Sequence, residues 1–541
     1  MRSLPLLLLV FWLHLSTAFG QANYHQTVYE PTNFDGLRAA PAHCADGSVL
    51  LLTKEMDHAV IRKIGPLGAA IWSRSLVMPA NAPDSTFLPT DPWNIESTSD
   101  GGAVILMTRR VSAPNRLECY LTRIDGAGDA LWSKRFDVPG AMVIQYSGAK
   151  AGLAISGADE LFLSTPVWWS SDTTCAAFNS TIIKISPFGD QLWAKTVGIC
   201  AFTVVFGAVS DEAGGCYFLG SPVEGGTQLL GRLDANGVLM WIGSFDSFSP
   251  FVQEGPRDMH RGPSGDVFVA GSYGYTGDPW RGTVKRFSPT GQGLWGAYVE
   301  ANHDISCWSV RETASGEVLC TTSLWQWDET ERAVVVRLSS SGSVIDAHQS
   351  AVDISTGSEV YIEGWIQDVQ EDTLLLAGMV FGATSPSLFH WRIGSDMSNA
   401  CFLEPATVTG TAGSAFNLGA VQTYWSDAAI TIDTSGITLD TLAGWVGTDF
   451  CAWLTTVAVE EQEPEGLAVF PSLLSPGEPI QVVVKGPAMV QVRDPQGRSL
   501  MARRARGPMT IDTAGWAAGL YVITIADVAT HQRQCRKVMV E

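Results

Sequence analysis

The chain has 541 residues, of which only 16% are charged, with 54 glycines, 19 tryptophans and a net charge of −21. That length asks for several domains or one large repeat domain with additions, and sparse charge with abundant Gly and Trp suits a turn-rich, all-β extracellular protein. The acidic balance excludes nucleic acid as a partner, because its phosphates would be repelled, while solubility and divalent cations such as calcium are compatible with it.

Residues 1–20 read as a signal peptide. Arg2 is the positive start, and Leu4–Leu15 is an apolar run too short to span a bilayer comfortably. Ala18-Phe19-Gly20 before Gln21 fits a small-x-small cleavage site. No later stretch reaches transmembrane length, so no transmembrane helix is expected after cleavage.

From residue 24 to 402 one pattern recurs seven times: a basic residue, an apolar residue, three turn residues, Gly, three residues, then Trp. The copies run Lys63-Ile64…Gly68…Trp72, Arg123-Ile124…Gly128…Trp132, Lys184-Ile185…Gly189…Trp193, Arg232-Leu233…Gly237…Trp241 and Arg286-Phe287…Gly291…Trp295. Two degraded copies follow, Arg337-Leu338…Gly342…Asp346 and Arg392-Ile393…Met397…Cys401. A period of about fifty residues marks a solenoid, propeller or array. Each copy reads as strand, tight turn, strand, with Gly, Pro, Asn and Asp supplying the turn conformations. A second hairpin, turning at sites such as Ala45-Asp46-Gly47 and Ser99-Asp100-Gly101, precedes each copy. Each unit therefore has four strands, a to d, and seven such units predict an all-β, seven-bladed β-propeller. The repeated Trp is expected as a core residue wedged between blades rather than a ligand platform. The repeated Lys or Arg is expected to satisfy carbonyls or an acid near the turn.

The repeat resembles the Trp-containing units of quinoprotein-like propellers. It is also similar to the Asp-box of sialidases, although there the gap from Gly to Trp is one residue shorter. Neither resemblance assigns an activity, and no cofactor fingerprint stands beside the repeats.

The a–b and c–d turns are short and uniform, which makes one face plain. The b–c and d–a loops are long and rich in aromatics: Trp168 and Trp169, Tyr273 and Tyr275, Trp280, and Trp325, Trp327 and Asp328. Flat rings beside Asp, Asn and Arg suit sugars or peptides, and these residues are the candidate ligand-binding set. The alternative is that they fold inward to pack their own loops. Counting back from each b strand, the central channel is lined by His43, Ser97, Ala154, Val209, His260, Arg311 and Gln367, with Asp258 and Ser309 two residues earlier. His260, Asp258 and Arg311, with His43, make a polar channel site. No Ser/His/Asp order or HExxH motif accompanies it, so no catalytic residue is assigned.

The ten cysteines do not fall into CxxC pairs, and no metal site is assigned. Cys175 with Cys200, and Cys401 with Cys451, are the disulfide candidates; Cys216 and Cys320 lie in apolar strands and are expected as buried thiols. Residues 403–459 break the repeat and form either a small β-extension or strands that complete the ring. Residues 460–466, Glu-Glu-Gln-Glu-Pro-Glu-Gly, are an acidic linker.

Residues 467–541 read as a separate small β-sandwich of Ig-like kind, with a hairpin turn at Asp494-Pro495-Gln496-Gly497. Its motifs are Val469-Phe470-Pro471, Val492-Arg493-Asp494-Pro495-Gln496-Gly497-Arg498, Ile511-Asp512-Thr513-Ala514-Gly515-Trp516-Ala517-Ala518-Gly519-Leu520-Tyr521-Val522 and Arg536-Lys537-Val538-Met539-Val540. In order and kind they are similar to the type A C-terminal sorting domain of the type IX secretion system of Bacteroidota. One departure is Pro471-Ser472-Leu473, where that family has Pro-Asn-Pro. The resemblance implies that the domain is read by the outer-membrane translocon, with Gly497, Gly519, Tyr521 and Lys537 in the sorting signal. It implies a secreted protein, or one held on the outer face of the outer membrane. The expectation from the whole sequence is an exported, non-catalytic binding module for a glycan, peptide or surface partner. The alternatives are an extracellular polysaccharide- or quinone-related enzyme acting in the channel, and a structural adhesion component.

Overall fold

The computed structural model describes most of residues 25–540; the segments 78–90, 138–151, 169–177, 246–251, 351–360, 395–402 and 450–467, and some shorter loop tips, lie outside the described residues. Among the described residues every regular element is a β-strand. The chain divides into two compact units, the first made of residues 1–395 and 403–450, the second of 396–402 and 451–541.

Among the described residues, unit one holds seven antiparallel sheets in chain order. Sheet one is Phe34–His43, Val49–Glu55, His58–Ile64 and Ala70–Val77; sheet two is Asp91–Ser97, Ala103–Val111, Arg116–Ile124 and Ala130–Asp137. Sheet three is Gly152–Ile155, Leu161–Trp168, Phe178–Ile185 and Gln191–Ile199; sheet four is Thr203–Ser210, Cys216–Pro222, Gln228–Leu233 and Leu239–Phe245. Sheet five is Val252–Arg261, Val267–Tyr275, Arg281–Phe287 and Gly293–Glu300; sheet six is Asp304–Glu312, Val318–Trp325, Glu331–Leu338 and Val344–Ser350. Each sheet touches the next, and Phe34–His43 of sheet one touches the strands of sheet seven.

Sheet seven differs from the expectation. Its first three strands are Tyr361–Gln370, Thr373–Phe381 and Pro386–Gly394, but its fourth is the N-terminal strand His25–Tyr29, paired from His25↔Arg392 to Tyr29↔Leu388. The turn of the seventh copy of the repeat, after Gly394, lies outside the described residues.

Residues 403–450 form no separate element. They run round the sheets in reverse order and add a fifth strand to six of them: Leu403–Pro405 on sheet six, Thr409–Ala412 on five, Thr423–Asp427 on three, Thr431–Thr434 on two, Thr438–Thr441 on one and Gly447–Asp449 on seven. At sheet four Leu418 lies against the backbone of Gly243, where a Cβ would come within 2.4 Å of its own Cβ. The last belt strand pairs with His25–Tyr29, so the N-terminal strand is held on both edges.

The repeated residues join neighbouring sheets. The turns carry glycines in the left-handed region, from Gly47 at φ 79° to Gly342 at φ 86°, and a Gly N–H donates back to the first turn residue. The indole N–H of each repeat Trp donates to a carbonyl in the c–d turn of the next sheet: Trp72 to Gly126 (3.1 Å), Trp132 to Pro187 (2.9 Å), Trp193 to Ala235 (2.9 Å), Trp241 to Pro289 (3.3 Å) and Trp295 to Ser340 (2.8 Å). The turn glycine must be Gly twice over, since a Cβ on Gly342 would lie 2.8 Å from the Trp295 ring. Most of these tryptophans are half-buried at the rim of the joint, so the wedge is a clasp and not a deep core residue. The repeated cations bind beside them. Lys63 Nζ donates to Gly101 O (3.0 Å), Lys184 Nζ to Gly214 O (2.8 Å), and Arg232 and Arg286 pair with Asp211 (2.9 Å) and Asp266 (2.7 Å). Between the clasps the sheets bury Val, Leu, Ile and Phe in clusters shared by adjacent sheets.

In unit two, a three-stranded sheet (Ala468–Phe470, Ile480–Val483, Met509–Ile511) and a five-stranded sheet close on one core. The five-stranded sheet holds Leu473–Leu474, Arg533–Val540, Gly519–Asp527, Ala488–Arg493 and Ser499–Ala505 in that order. Ile480, Val482, Val490, Val492, Ile523 and Val538 fill the core. Tyr521 stacks on Trp516 with ring centroids 4.3 Å apart and donates its hydroxyl to Ala517 O (2.8 Å). Gly519 sits at φ 152°. Lys537 lies on the strand Arg533–Val540, opposite Val522, and Gly497 lies outside the described residues.

Candidate functional site

The a strands are the innermost elements of unit one, touching one another from sheet to sheet, and five of them share a defect. A register shift interrupts the a–b ladder between Pro92 and Asn94, Val205 and Gly207, Pro256 and Asp258, Cys307 and Ser309, and Ile366 and Asp368. The extra residues are Trp93, Phe206, Arg257, Trp308 and Gln367. A bulge leaves its extra residue unpaired and re-aims the side chain, and bulges gather near functional sites. Sheet one has a wider irregularity, between Phe34 and Ala39.

The ladders correct the expected channel register. Opposite the b-strand residue that pairs with the repeated Lys or Arg stand Ala42, Glu96, Ala154, Val209, His260, Arg311 and Asp368. The sequence count placed His43 and Ser97 there, one residue too late, and a one-residue slip exchanges the two faces of a strand. Ser97 in fact turns to sheet one, donating its hydroxyl to His43 O at 2.6 Å. Gln367 is the bulge residue of sheet seven, and Asp368 holds the register position. Ser309 is buried against the Thr321 hydroxyl (2.6 Å).

The correction brings in Glu96. Burial pushes the pKa of its carboxyl up to about 7 against the pull of Arg311, which favours the charged form, and Asp258 adds to the rise. Three sheets thus bring charge together at the inner strands. Arg311 Nη1 lies 2.7 Å from Asp258 Oδ2, the same oxygen accepts Val310 N–H at 3.0 Å, and Arg311 also donates to Val310 O at 2.6 Å. The Asp258 carboxylate is therefore committed to sheet six. One residue before it, the exposed Arg257 lies over the Trp308 ring, 4.7 Å from its centroid. His260 shares the inner strand with both.

Of the aromatic loop set, two members pack inward. Tyr273 meets Tyr298 edge to face with centroids 5.4 Å apart. Trp280 lies on Gly274, whose Cβ would come within 2.7 Å of the indole, and its backbone is held by Asp304 Oδ1 (2.7 Å) and Ile305 N–H (2.9 Å). Trp168, Tyr275 and Trp325 end b strands whose side chains are not described there, and Trp169, Trp327 and Asp328 lie outside the described residues. So do Cys175, Cys200, Cys401 and Cys451. Cys44, Cys119, Cys216, Cys307 and Cys320 are buried free thiols, and burial pushes Cys119 up to about 12. No group of three or more His, Cys, Asp or Glu among the described residues could hold a metal ion. No helix among them is long and apolar enough to cross a membrane.

No family model matches the chain, and no curated protein matches it. Among solved structures it is similar to a protein of unknown function from Dyadobacter fermentans DSM 18053, at 10% identity over 59% of this chain and 97% of that one, with a TM-score of 0.33. Prolyl oligopeptidase B from Galerina marginata matches at 9% identity over 74% of this chain, with a TM-score of 0.38, and the match spans about half (52%) of that enzyme. The polysaccharide lyase Uly1 matches at 9% identity over 67% of this chain and 90% of its own, with a TM-score of 0.37. Likenesses this weak say nothing of ligand or activity.

Proposed function

We propose that the seven sheets are the blades of a seven-bladed β-propeller and that the protein is an exported binding module for a glycan, peptide or surface partner. The observation that carries the reading is the set of touching a strands, four of which carry a bulge at one level, with Trp93, Phe206, Arg257 and Trp308 as the extra residues. Nearby, Asp258 and Arg311 neutralise each other, leaving a framework suited to holding a ligand rather than attacking it. The C-terminal unit, an Ig-like sandwich ending in Arg536-Lys537-Val538-Met539-Val540, acts as the type IX sorting domain and delivers the protein to the outside of the cell or the outer face of the outer membrane. The division of the chain at residues 450 and 451 supports this, because the belt strands all precede it.

A binding array of glycans and peptides, probed with the mature full chain with and without calcium, tests the module. Specific retention of one ligand class is the expected result, and a blank array removes the binding reading. Deletion of residues 467–541 should trap the remainder in the periplasm; normal export of that truncation removes the sorting reading. A second reading, an enzyme acting at the channel, rests on Glu96, whose carboxyl near pH 7 could pass a proton to a substrate. Turnover of a retained ligand that is lost in Glu96→Gln would favour it.

A further inference from the structure

Sheet six holds the one pair of cysteine sulfurs in contact among the described residues. Cys307 lies on the innermost strand Asp304–Glu312, and Cys320 on the next strand, Val318–Trp325. Their Sγ atoms are 3.7 Å apart, and both side chains are fully buried. In the ladder Cys307 stands opposite Thr322 and Cys320 opposite Val310, so the two are diagonal neighbours on one face. A regular diagonal keeps the two backbones about 7–8 Å apart, too wide for a disulfide. Here the ladder shifts between Cys307 and Ser309, and the extra residue Trp308 lets the strand bend where the thiols meet. Gly282 of sheet five makes room for the sulfur, since a Cβ there would lie 2.6 Å from Cys307 Sγ. The surroundings are apolar, with Val284, Val310, Val318 and Val334 in the same cluster. The Cys320 thiol beside it and burial together hold the Cys307 thiol well above the usual range. A charged thiolate is disfavoured in such a place, whereas a neutral cystine suits it.

We propose that Cys307 and Cys320 are a disulfide site, closed while the chain folds and sealed when sheets five and six pack together. The oxidant is a small-molecule or protein disulfide of the folding compartment. One cysteine thiolate attacks that disulfide and expels a thiolate from it; the second attacks the mixed disulfide and expels the other. The two cysteines lose two electrons and two protons, and the oxidant leaves as two thiols. Exchange belongs to folding, because it needs solvent access and a thiolate, and the packed cluster denies both. The bond ties the two strands together beside the bulge and so fixes the strand that carries Arg311. The inference rests on the reading of the chain as exported, because a reducing compartment leaves both thiols free.

The test is refolding of the mature full chain, first unfolded and reduced, in glutathione disulfide. Alkylation in denaturant and trypsin digestion without reduction follow. Trypsin separates the two cysteines, leaving Cys307 in Phe287–Arg311 and Cys320 in Glu312–Arg332, each without another cysteine. The expected product is the joined pair, two hydrogen atoms lighter than the sum of the two peptides, with loss of both alkylated forms. Dithiothreitol before alkylation should return both peptides singly alkylated, and Cys320→Ala should leave Cys307 alkylated without it. The native protein should release the pair to dithiothreitol far more slowly than the protein in urea. Full alkylation of both cysteines after refolding overturns the inference, as does either cysteine joined to a different partner. Release at the same rate in native protein and in urea overturns the seal. The refolding result does not depend on the route of export, and that reading fails separately, in the truncation assay.

Discussion

Trp295 offers the sharpest test of how the sheets are held together. It is the most buried of the clasp residues at 6% exposure, its indole N–H donates to Ser340 O at 2.8 Å, and it lies against the turn glycine Gly342. Trp295→Ala removes a large ring from a packed joint and should cost ~3–5 kcal/mol. Trp295→Phe keeps most of the apolar contact and loses the hydrogen bond. Ser340 O still accepts from Arg286 Nη1 at 3.1 Å, so it is not left bare, and the loss should be only ~1 kcal/mol. Trp193, half-buried at the corresponding joint, should lose less than Trp295 on truncation to Ala. Urea unfolding followed by far-ultraviolet circular dichroism measures all three. Equal costs for the Phe and Ala variants of Trp295, or no cost for either, would refute the clasp.

Other expectations follow from the same contacts. Glu96 holds its proton to about pH 7 in the folded chain against 4.5 ordinarily, so its contribution to stability is complete below pH 4.5 and is lost as pH rises through 7, a change of ~3 kcal/mol. Glu96→Gln should flatten that part of the stability profile between pH 5 and 8; an identical slope in both proteins contradicts the assignment. Asp159 sits at φ 59° and binds Ser99 N–H (2.9 Å), the Ser99 hydroxyl (2.9 Å) and Arg123 (3.0 Å) across the joint between sheets two and three. Asp159→Ala should cost ~2–4 kcal/mol, and Asp159→Gly should recover ~1 kcal/mol of that by relieving the backbone; chemical denaturation that ranks them the other way excludes this account. Removing His25–Tyr29 exposes the edge of Pro386–Gly394 and unpairs the last belt strand, so limited proteolysis should cut sheet seven first. Unchanged proteolysis would show that the closure is not needed.

Much of unit one was legible locally. The spacing from Lys63 to Trp72, repeated through Arg286 to Trp295, encodes a hairpin whose Gly must adopt positive φ, and those are short-range demands on side chains. The same logic located the strands Ala488–Arg493 and Gly519–Asp527 of unit two. The polar level of the inner strands was also within reach: a uniform count of seven back from the b strand reaches Glu96 as it reaches His260 and Arg311. At sheet seven the two-residue turn shortens that count and points to Gln367 instead of Asp368.

The losses in the last two copies had no local explanation. Asp346 stands where the earlier copies have Trp, and it pairs with Arg337 of its own sheet. In sheet seven the fourth strand is supplied by His25–Tyr29. The belt was equally hidden. Edge pairing uses backbone N–H and C=O groups that every residue carries, so the segments Thr409–Ala412 and Thr431–Thr434 need little distinctive in their side chains to add to a sheet. By itself the sequence determined the turns, the alternating strands and the clasp residues, because these answer to local sterics and spacing. Only the tertiary structure decided which strand closes sheet seven, where residues 403–450 run and which carboxyl meets Arg311, because those depend on edges and faces brought together from distant parts of the chain.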